Sequence, residues 1–151
     1  MTDTSETDET KDWNTRIIEE FRANDGKVGG PFEGASLLLL TTAGARSGKP
    51  RISPLMYLAD GDRVLVFGSY AGGPRHPAWY HNLRANPRAT VEIGTRSYEV
   101  TADEVSGAER DELYARQVAV APGFGEYQAK TDRIIPVVAL RPVGGASFDL
   151  G

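Results

Sequence analysis

Three short segments of this 151-residue chain carry residue types and spacings that suit chemistry. The first is 41–51, Thr-Thr-Ala-Gly-Ala-Arg-Ser-Gly-Lys-Pro-Arg, which puts the cations Arg46, Lys49 and Arg51 beside hydroxyls and between glycines. Glycines let backbone N–H groups approach a ligand, and fixed cations with hydroxyl donors suit a phosphate or carboxylate chain. It is not a nucleotide P-loop. That motif needs four residues between its glycines and Ser or Thr after the lysine; here three separate Gly44 from Gly48, and Pro50 follows Lys49. On spacing alone, a solvated basic hairpin loop explains the segment equally well.

The second segment, 69–80, is Ser-Tyr-Ala-Gly-Gly-Pro-Arg-His-Pro-Ala-Trp-Tyr. Gly72 and Gly73 permit close backbone approach, the helix start after Pro77 favours an anion, and Trp79 and Tyr80 suit the walls of a flat ring. Ordinary core aromatics on a short helix would look the same. The third segment, Phe124-Gly125-Glu126-Tyr127 with Lys130, Asp132 and Arg133 after it, fits a mobile lid or a packed connection. His76 and His81 are five apart, which is not a helical metal-ligand pair, and no nucleophile elbow is present.

Composition narrows the field. The chain has no cysteine, which excludes disulfide frameworks, thiolate nucleophiles and cysteine metal sites, and its two histidines exclude a histidine-rich cluster. Its apolar runs, such as Leu37 to Leu40, fall far short of the ~20 residues of a membrane span. No secretory signal is visible, so the cytoplasm is the default address. The net charge of −4 is uneven: residues 1–12 hold five acids and one base, whereas 34–91 hold seven bases and two acids. An acidic protein with a basic middle suits a local anionic ligand and not bulk nucleic acid.

The elements that must position these segments follow from pattern. Residues 1–11 lack apolar periodicity and are expected to form a disordered acidic tail, with one domain over 12–151. Trp13, Ile17, Ile18 and Phe21 define one face of a helix ending near 24–26. Strands are expected at 36–42, 51–59, 63–69, 88–93, 97–104 and 134–141, with a tight turn at Asp60-Gly61-Asp62. Helices are expected at 78–85, stopped by Asn86-Pro87, at 106–120 with a Ser106/Glu109 capping box, and around 126–130. Strands in hairpins with a few helices predict a mainly β, α+β antiparallel barrel.

Taken in order, Leu39 to Arg51, Ser53-Pro54-Leu55, Gly72-Gly73, Pro77 to Leu83, Ala85-Asn86-Pro87, Thr131-Asp132-Arg133 and Ile135-Pro136 resemble the deazaflavin-dependent nitroreductase family. The resemblance implies an antiparallel split β-barrel, like that of the FMN-binding pyridoxamine-phosphate oxidases. It also implies coenzyme F-420, an 8-hydroxy-5-deazaflavin with a phospholactyl oligoglutamate tail. By that analogy Arg46, Ser47, Gly48, Lys49, Pro50 and Arg51 hold the phosphate and tail. Pro54, Leu55 and Met56 back the ring, with Ser69, Tyr70, Ala78, Trp79 and Tyr80 at its margins.

Reduced deazaflavin is a hydride donor at C5, so the protein mainly fixes distance and angle to an electron-poor acceptor. Ser69 or Tyr127 is the candidate proton source, and Phe124 and Tyr127 the candidate acceptor contacts. The chain departs from nitroimidazole-reducing relatives: only Tyr127 supplies a hydroxyl in 121–127, Tyr70 stands where lysine is frequent, and Met56 where an aromatic is frequent. Activated C=C bonds of enones, lactones or quinones are therefore the expected acceptors ahead of bulky nitro compounds. The alternatives are an FMN-dependent reductase of the same fold and a non-catalytic, ligand-sequestering split barrel. A homodimer is compatible with the sequence. Membrane docking through the Trp13 helix is disfavoured by Glu19, Glu20 and the acidic residues before it.

Overall fold

The computed structural model describes residues 4–32 and 34–150. Helix α1 (Thr4–Ala23) leads to β1 (Leu37–Ala43), β2 (Pro50–Met56), β3 (Leu58–Asp60) and β4 (Arg63–Phe67). Then come α2 (Ala78–Ala85), β5 (Arg88–Ile93), β6 (Arg96–Val105), α3 (Gly107–Val120), α4 (Gly123–Ala129) and β7 (Val137–Pro142). All strand pairs are antiparallel, in the order β2-β1-β5-β6-β7-β4-β3. Segments β2 and β3 are consecutive in the chain yet stand at opposite ends of that order. The sheet must therefore curl until its two edges are joined by Tyr57, which gives the split-barrel shape.

That corner corrects the single strand expected over 51–59. Tyr57 donates its N–H to the Ser36 carbonyl, outside any ladder, and the chain changes partner from β1 to β4 there. Helix α1 also begins earlier than the apolar spacing suggests. Its backbone is helical from Thr4, inside the stretch expected to be a disordered tail, while residues 1–3 lie outside the described residues. Thr4 to Asp12 contain no Gly or Pro to interrupt a helix that packing secures further on.

The continuous Leu run of β1 is buried on both faces for two different reasons. Leu38 and Leu40 point into the barrel with Val64, Val66, Val91, Val100, Val138 and Leu140. Leu37 and Leu39, on the other face by the period of two, pack with Ile17, Phe21 and Val28. Helix α1 thus lies on the barrel, with Phe21 1% exposed, a burial worth roughly 1.5–3 kcal/mol for such a side chain. Strand β4 alternates likewise: Leu65 and Phe67 face an outer cluster with Leu113, Tyr114 and Phe124 of α3 and α4. Helix α2 sends Trp79, Tyr80 and Leu83 into the barrel interior and so plugs one end.

The Ser106/Glu109 box is not made. Ser106 precedes α3 but makes no side-chain cap, and Glu109 pairs instead with Arg63 at 3.0 Å. The sequence pattern is blind to that cross-strand arginine. No described helix is long and apolar enough to cross a membrane.

Candidate active site

Two cavities of about 990 Å³ and 1070 Å³ lie along the plugged end of the barrel. Both are lined by Asn14, Ser53, Ala78, Trp79 and His81, so they are the two halves of one groove. Strand β2 runs along its length, from Arg51 in the first half to Leu55 in the second.

The first half carries the basic loop. The connection from β1 to β2 supplies Arg46 and Ser47 to its lining, and the start of β2 supplies Pro50 and Arg51. The loop is internally tied: Gly44 N–H donates to the Lys49 carbonyl at 2.8 Å, Gly48 N–H to the Gly44 carbonyl at 2.8 Å, and Lys49 N–H to Ser47 Oγ at 3.1 Å. A Cβ on Gly44 would stand 2.8 Å from Ser47 Oγ and 3.3 Å from the Lys49 carbonyl oxygen, so a side chain there would push the Ser47 hydroxyl off Lys49 N–H. Among the described residues Arg46, Lys49 and Arg51 make no ion pair, in contrast to Arg22, Arg63 and Arg116, which all find carboxylates. Three cations around one loop, with no carboxylate partner among the described residues, suit an anion.

What fixes the loop to the rest of the site is Asn82, a residue that spacing did not single out. Its Oδ1 accepts the Ala45 N–H at 2.9 Å and its Nδ2 donates to Thr42 Oγ1 at 3.0 Å, with Asn82 and Thr42 both buried. The start of the loop is thereby bolted to α2. The signal was present in the sequence, since Asn82 is a polar residue on the buried face of a short amphipathic helix and must find partners there.

The second half is apolar and aromatic at one wall and polar at the other. Trp13, Phe32, Pro54, Leu55 and Trp79 form the first; Ser69, Tyr70, Arg75, His76 and Arg133 line the second. The polar wall rests on a turn at 70–72 in which Tyr70 (φ 45°) and Ala71 (φ 52°) are left-handed, followed by Gly72 (φ 78°). That conformation costs on the order of 1 kcal/mol or more for each residue bearing a Cβ. Gly72 lies against α4, where a Cβ would come within 2.9 Å of the Tyr127 carbonyl oxygen.

The expected site residues divide accordingly. Arg46, Ser47, Pro50, Arg51, Pro54, Leu55, Ser69, Tyr70, Ala78 and Trp79 line the groove. Gly48, Lys49, Met56, Tyr80, Phe124 and Tyr127 do not. Met56 packs under α1 and in the outer cluster. Tyr80 is buried and donates its hydroxyl to Glu104 at 2.6 Å; burial first, then that carboxylate, raises its pKa. The segment open to either a lid or a packed connection is the latter. Phe124 is a core residue with Phe67 and Tyr127 at ring-centroid distances of 5.8 Å and 5.2 Å, and Tyr114 donates to its carbonyl at 2.6 Å.

A family model described as F420H(2)-dependent quinone reductase matches residues 13–142, from the Trp13 at the groove's mouth to the end of β7. The chain belongs to this F-420-dependent oxidoreductase family. An F420H(2)-dependent quinone reductase of Mycobacterium tuberculosis is 40% identical over 126 residues, covering 80% of this chain and 83% of that one. A solved F420-H2 dependent reductase superposes with a TM-score of 0.65 at 40% identity, over 70% of this chain and 94% of that one. A second solved relative, described as a domain-swapped dimer, gives 0.66 at 37% identity, over 89% and 98%. A pyridoxamine 5'-phosphate oxidase-like protein from Listeria innocua, 12% identical over 87% of this chain and 94% of that one with a TM-score of 0.52, shares the fold.

The residues fit the cofactor of this reductase family. An anionic group suits the loop of Arg46, Lys49 and Arg51, which pair with no carboxylate among the described residues, and a flat ring suits the Pro54, Leu55 and Trp79 wall. The combined groove exceeds the ~300–1,000 Å³ of a usual small-molecule site, which leaves room for a second molecule beside the ring.

Proposed function

We propose that this chain reduces electron-poor small molecules, quinones foremost, with reduced F-420 held along the groove. The observation that carries this reading is the continuity of a basic loop, without ion pairs among the described residues, with an aromatic-walled cavity along one strand, β2. Arg46, Ser47 and Arg51 would grip the phosphate and glutamate tail, with Lys49 adding charge from the same loop. Pro54, Leu55, Ala78 and Trp79 would flank the ring. When bound, F-420 supplies a hydride at C5.

The remaining task of the protein is to orient, to exclude water and to manage charge. Ser69 lines the second half of the groove and is the hydroxyl we place near the reacting centre, where it can donate to an acceptor oxygen gaining charge. Tyr127 has no place in the groove lining, which favours Ser69 over it. Enones and lactones share the polarised C=C–C=O unit of quinones and belong to the same proposal; nitro compounds need a different oxygen geometry and rank below them. Two copies can associate without covering the lining residues, since β3, one of the two sheet edges, contributes none of them.

Titration with oxidised F-420 and, separately, FMN tests the reading, with tryptophan quenching as the signal because Trp13 and Trp79 both line the groove. Expected is micromolar binding of F-420, weakened by salt and by Arg46→Ala with Lys49→Ala. FMN binding with F-420 ignored would move the protein to the flavin branch. Tight F-420 binding without turnover of quinones would make it a carrier.

A further inference from the structure

Arg133, in the connection between α4 and β7, is half-buried and has no carboxylate partner among the described residues. It spends its guanidinium instead on the loop that forms the polar wall. Nε donates to the Gly73 carbonyl at 3.0 Å, Nη1 to the Gly68 carbonyl at 3.0 Å, and Nη2 to the Ser69 carbonyl at 2.8 Å. These acceptors lie on both flanks of the left-handed pair Tyr70 and Ala71. The turn's own bonds, Gly72 N–H to the Ser69 carbonyl and Gly73 N–H to the Tyr70 carbonyl, span only the turn itself. A single planar fork therefore closes the loop that its residues resist forming.

The fourth contact is chemically decisive. Arg133 Nη1 lies 2.9 Å from His76 Nδ1. A guanidinium has N–H groups and no acceptor, so Nδ1 must offer its lone pair, and the neutral imidazole carries its proton on Nε2. Nε2 makes no hydrogen bond to a described residue, is not sealed from solvent, and belongs to a ring that lines the acceptor half of the groove. Around the ring stand Arg133, His81, Arg84 and Glu104. Burial first, then the positive charge of Arg133, then His81, lower its pKa; Glu104 opposes them, and Arg84 adds a lesser lowering. The ring lies tilted by 46° against Tyr80, with centroids 4.7 Å apart, and the Tyr80 hydroxyl is committed to Glu104.

We propose that Arg133 is a positioning residue for the acceptor side of the groove: it clamps the 68–76 loop around its left-handed turn and fixes His76 as an Nε2–H donor to the oxygen of the molecule being reduced. This rests on the reductase reading above. In the step concerned the acceptor takes a hydride from the reduced deazaflavin and then one proton from solvent, and its oxygen carries the negative charge in between. His76 makes and breaks no covalent bond. Its N–H, with the permanent charge of Arg133 behind it, stabilises that oxygen. A proton relay through His76 is disfavoured by the same geometry, because the lone pair of Nδ1 faces a guanidinium that does not release protons.

The test has two arms. Nitrogen-15 NMR of the ligand-free full chain reads the imidazoles directly, with His81→Gln assigning the second histidine. Expected are the Nε2–H tautomer for His76 with titration below the ordinary histidine range, and in Arg133→Gln mixed tautomers with titration shifted upward. An Nδ1–H tautomer in the wild type would overturn the proposal.

In the kinetic arm, with menadione as acceptor, Arg133→Lys should lower kcat/KM at least tenfold while the F-420 Kd changes less than threefold. Adding Ala71→Gly, which adopts a left-handed turn freely, should recover part of that loss. Equal losses in Kd and kcat/KM, or no recovery with glycine, would reduce Arg133 to a general stabiliser and overturn the proposal. If the wild type neither binds F-420 nor reduces quinones, the reductase reading fails, while the NMR arm still decides the clamp.

Discussion

Replacing Asn82 separates the two things that hold the cofactor, loop position and loop charge. Asn82→Ala removes the hydrogen bond to Ala45 N–H (2.9 Å) and the one to Thr42 Oγ1 (3.0 Å), both in buried or half-buried surroundings. At roughly 1 kcal/mol for each bond, and more where a group is left buried and unpaired, the loss is ~2–3 kcal/mol. For a chain of this length that lowers Tm by about 4–12 °C. The Arg46–Arg51 loop then has to be ordered by the ligand, and F-420 should bind about tenfold more weakly.

Asn82→Asp is the counterpart. Its first oxygen still accepts from Ala45, and the Thr42 hydroxyl can turn to donate to the second. Stability should fall by less than in the alanine variant, while a negative charge beside the basic loop weakens binding at least as much, most visibly at low salt. Thr42→Val, which touches the network outside the groove lining, should show the alanine phenotype at smaller size. Thermal melts and F-420 titrations at two ionic strengths read all three. Unchanged affinity in Asn82→Ala would refute the claim that this side chain sets the loop.

Gly72→Ala should cost stability and acceptor turnover together, because a Cβ there meets the Tyr127 carbonyl oxygen at 2.9 Å and the residue sits at φ 78°; wild-type melting and kinetics would refute it. Ser69→Ala should lower kcat for quinones with little change in F-420 Kd, whereas Tyr127→Phe should leave kcat near wild type, and the reverse result would return the hydroxyl role to Tyr127. Acid unfolding should show Asp60: Arg116 first, then Arg63, hold its carboxyl below the ordinary range. Its contribution is present above the unfolded pKa of about 3.9 and lost as pH falls through the lower folded value. Asp60→Asn should flatten the stability slope below about pH 4 in denaturant melts.

Much of this was legible in the chain. Strand and helix positions followed from apolar pattern and punctuation, because the continuous run Leu37 to Leu40 marks a strand buried on both faces, and Asn86-Pro87 ends α2 where the backbone must turn. The basic loop at the groove was readable because three cations without acids nearby in sequence are a local property. The corner at Tyr57 was not, since whether a strand changes partner is settled by residues far away in sequence. Tyr80 and Phe124 looked like site residues because aromatic type says nothing about which face a helix buries. Arg133 and His76 escaped for a related reason: their meaning lies in a contact across 57 residues.

The sheet order also dictates when the groove can exist. Strands β3 and β4 are hydrogen-bonded into the sheet through β7, where Val64 to Phe67 pair with Leu140 to Val137, and Gly68 N–H meets the Pro136 carbonyl at 2.9 Å. Until residues 133–142 leave the ribosome, the hairpin that carries Phe67 and Ser69 lacks that ladder, and Arg133 is not there to hold the turn beyond it. The wall formed by β2 and the wall formed after β4 are made early and meet late. A nascent chain thus spends most of its synthesis with its anion loop already encoded and no groove for a cofactor to enter, and the last strand completes barrel and binding site in one event.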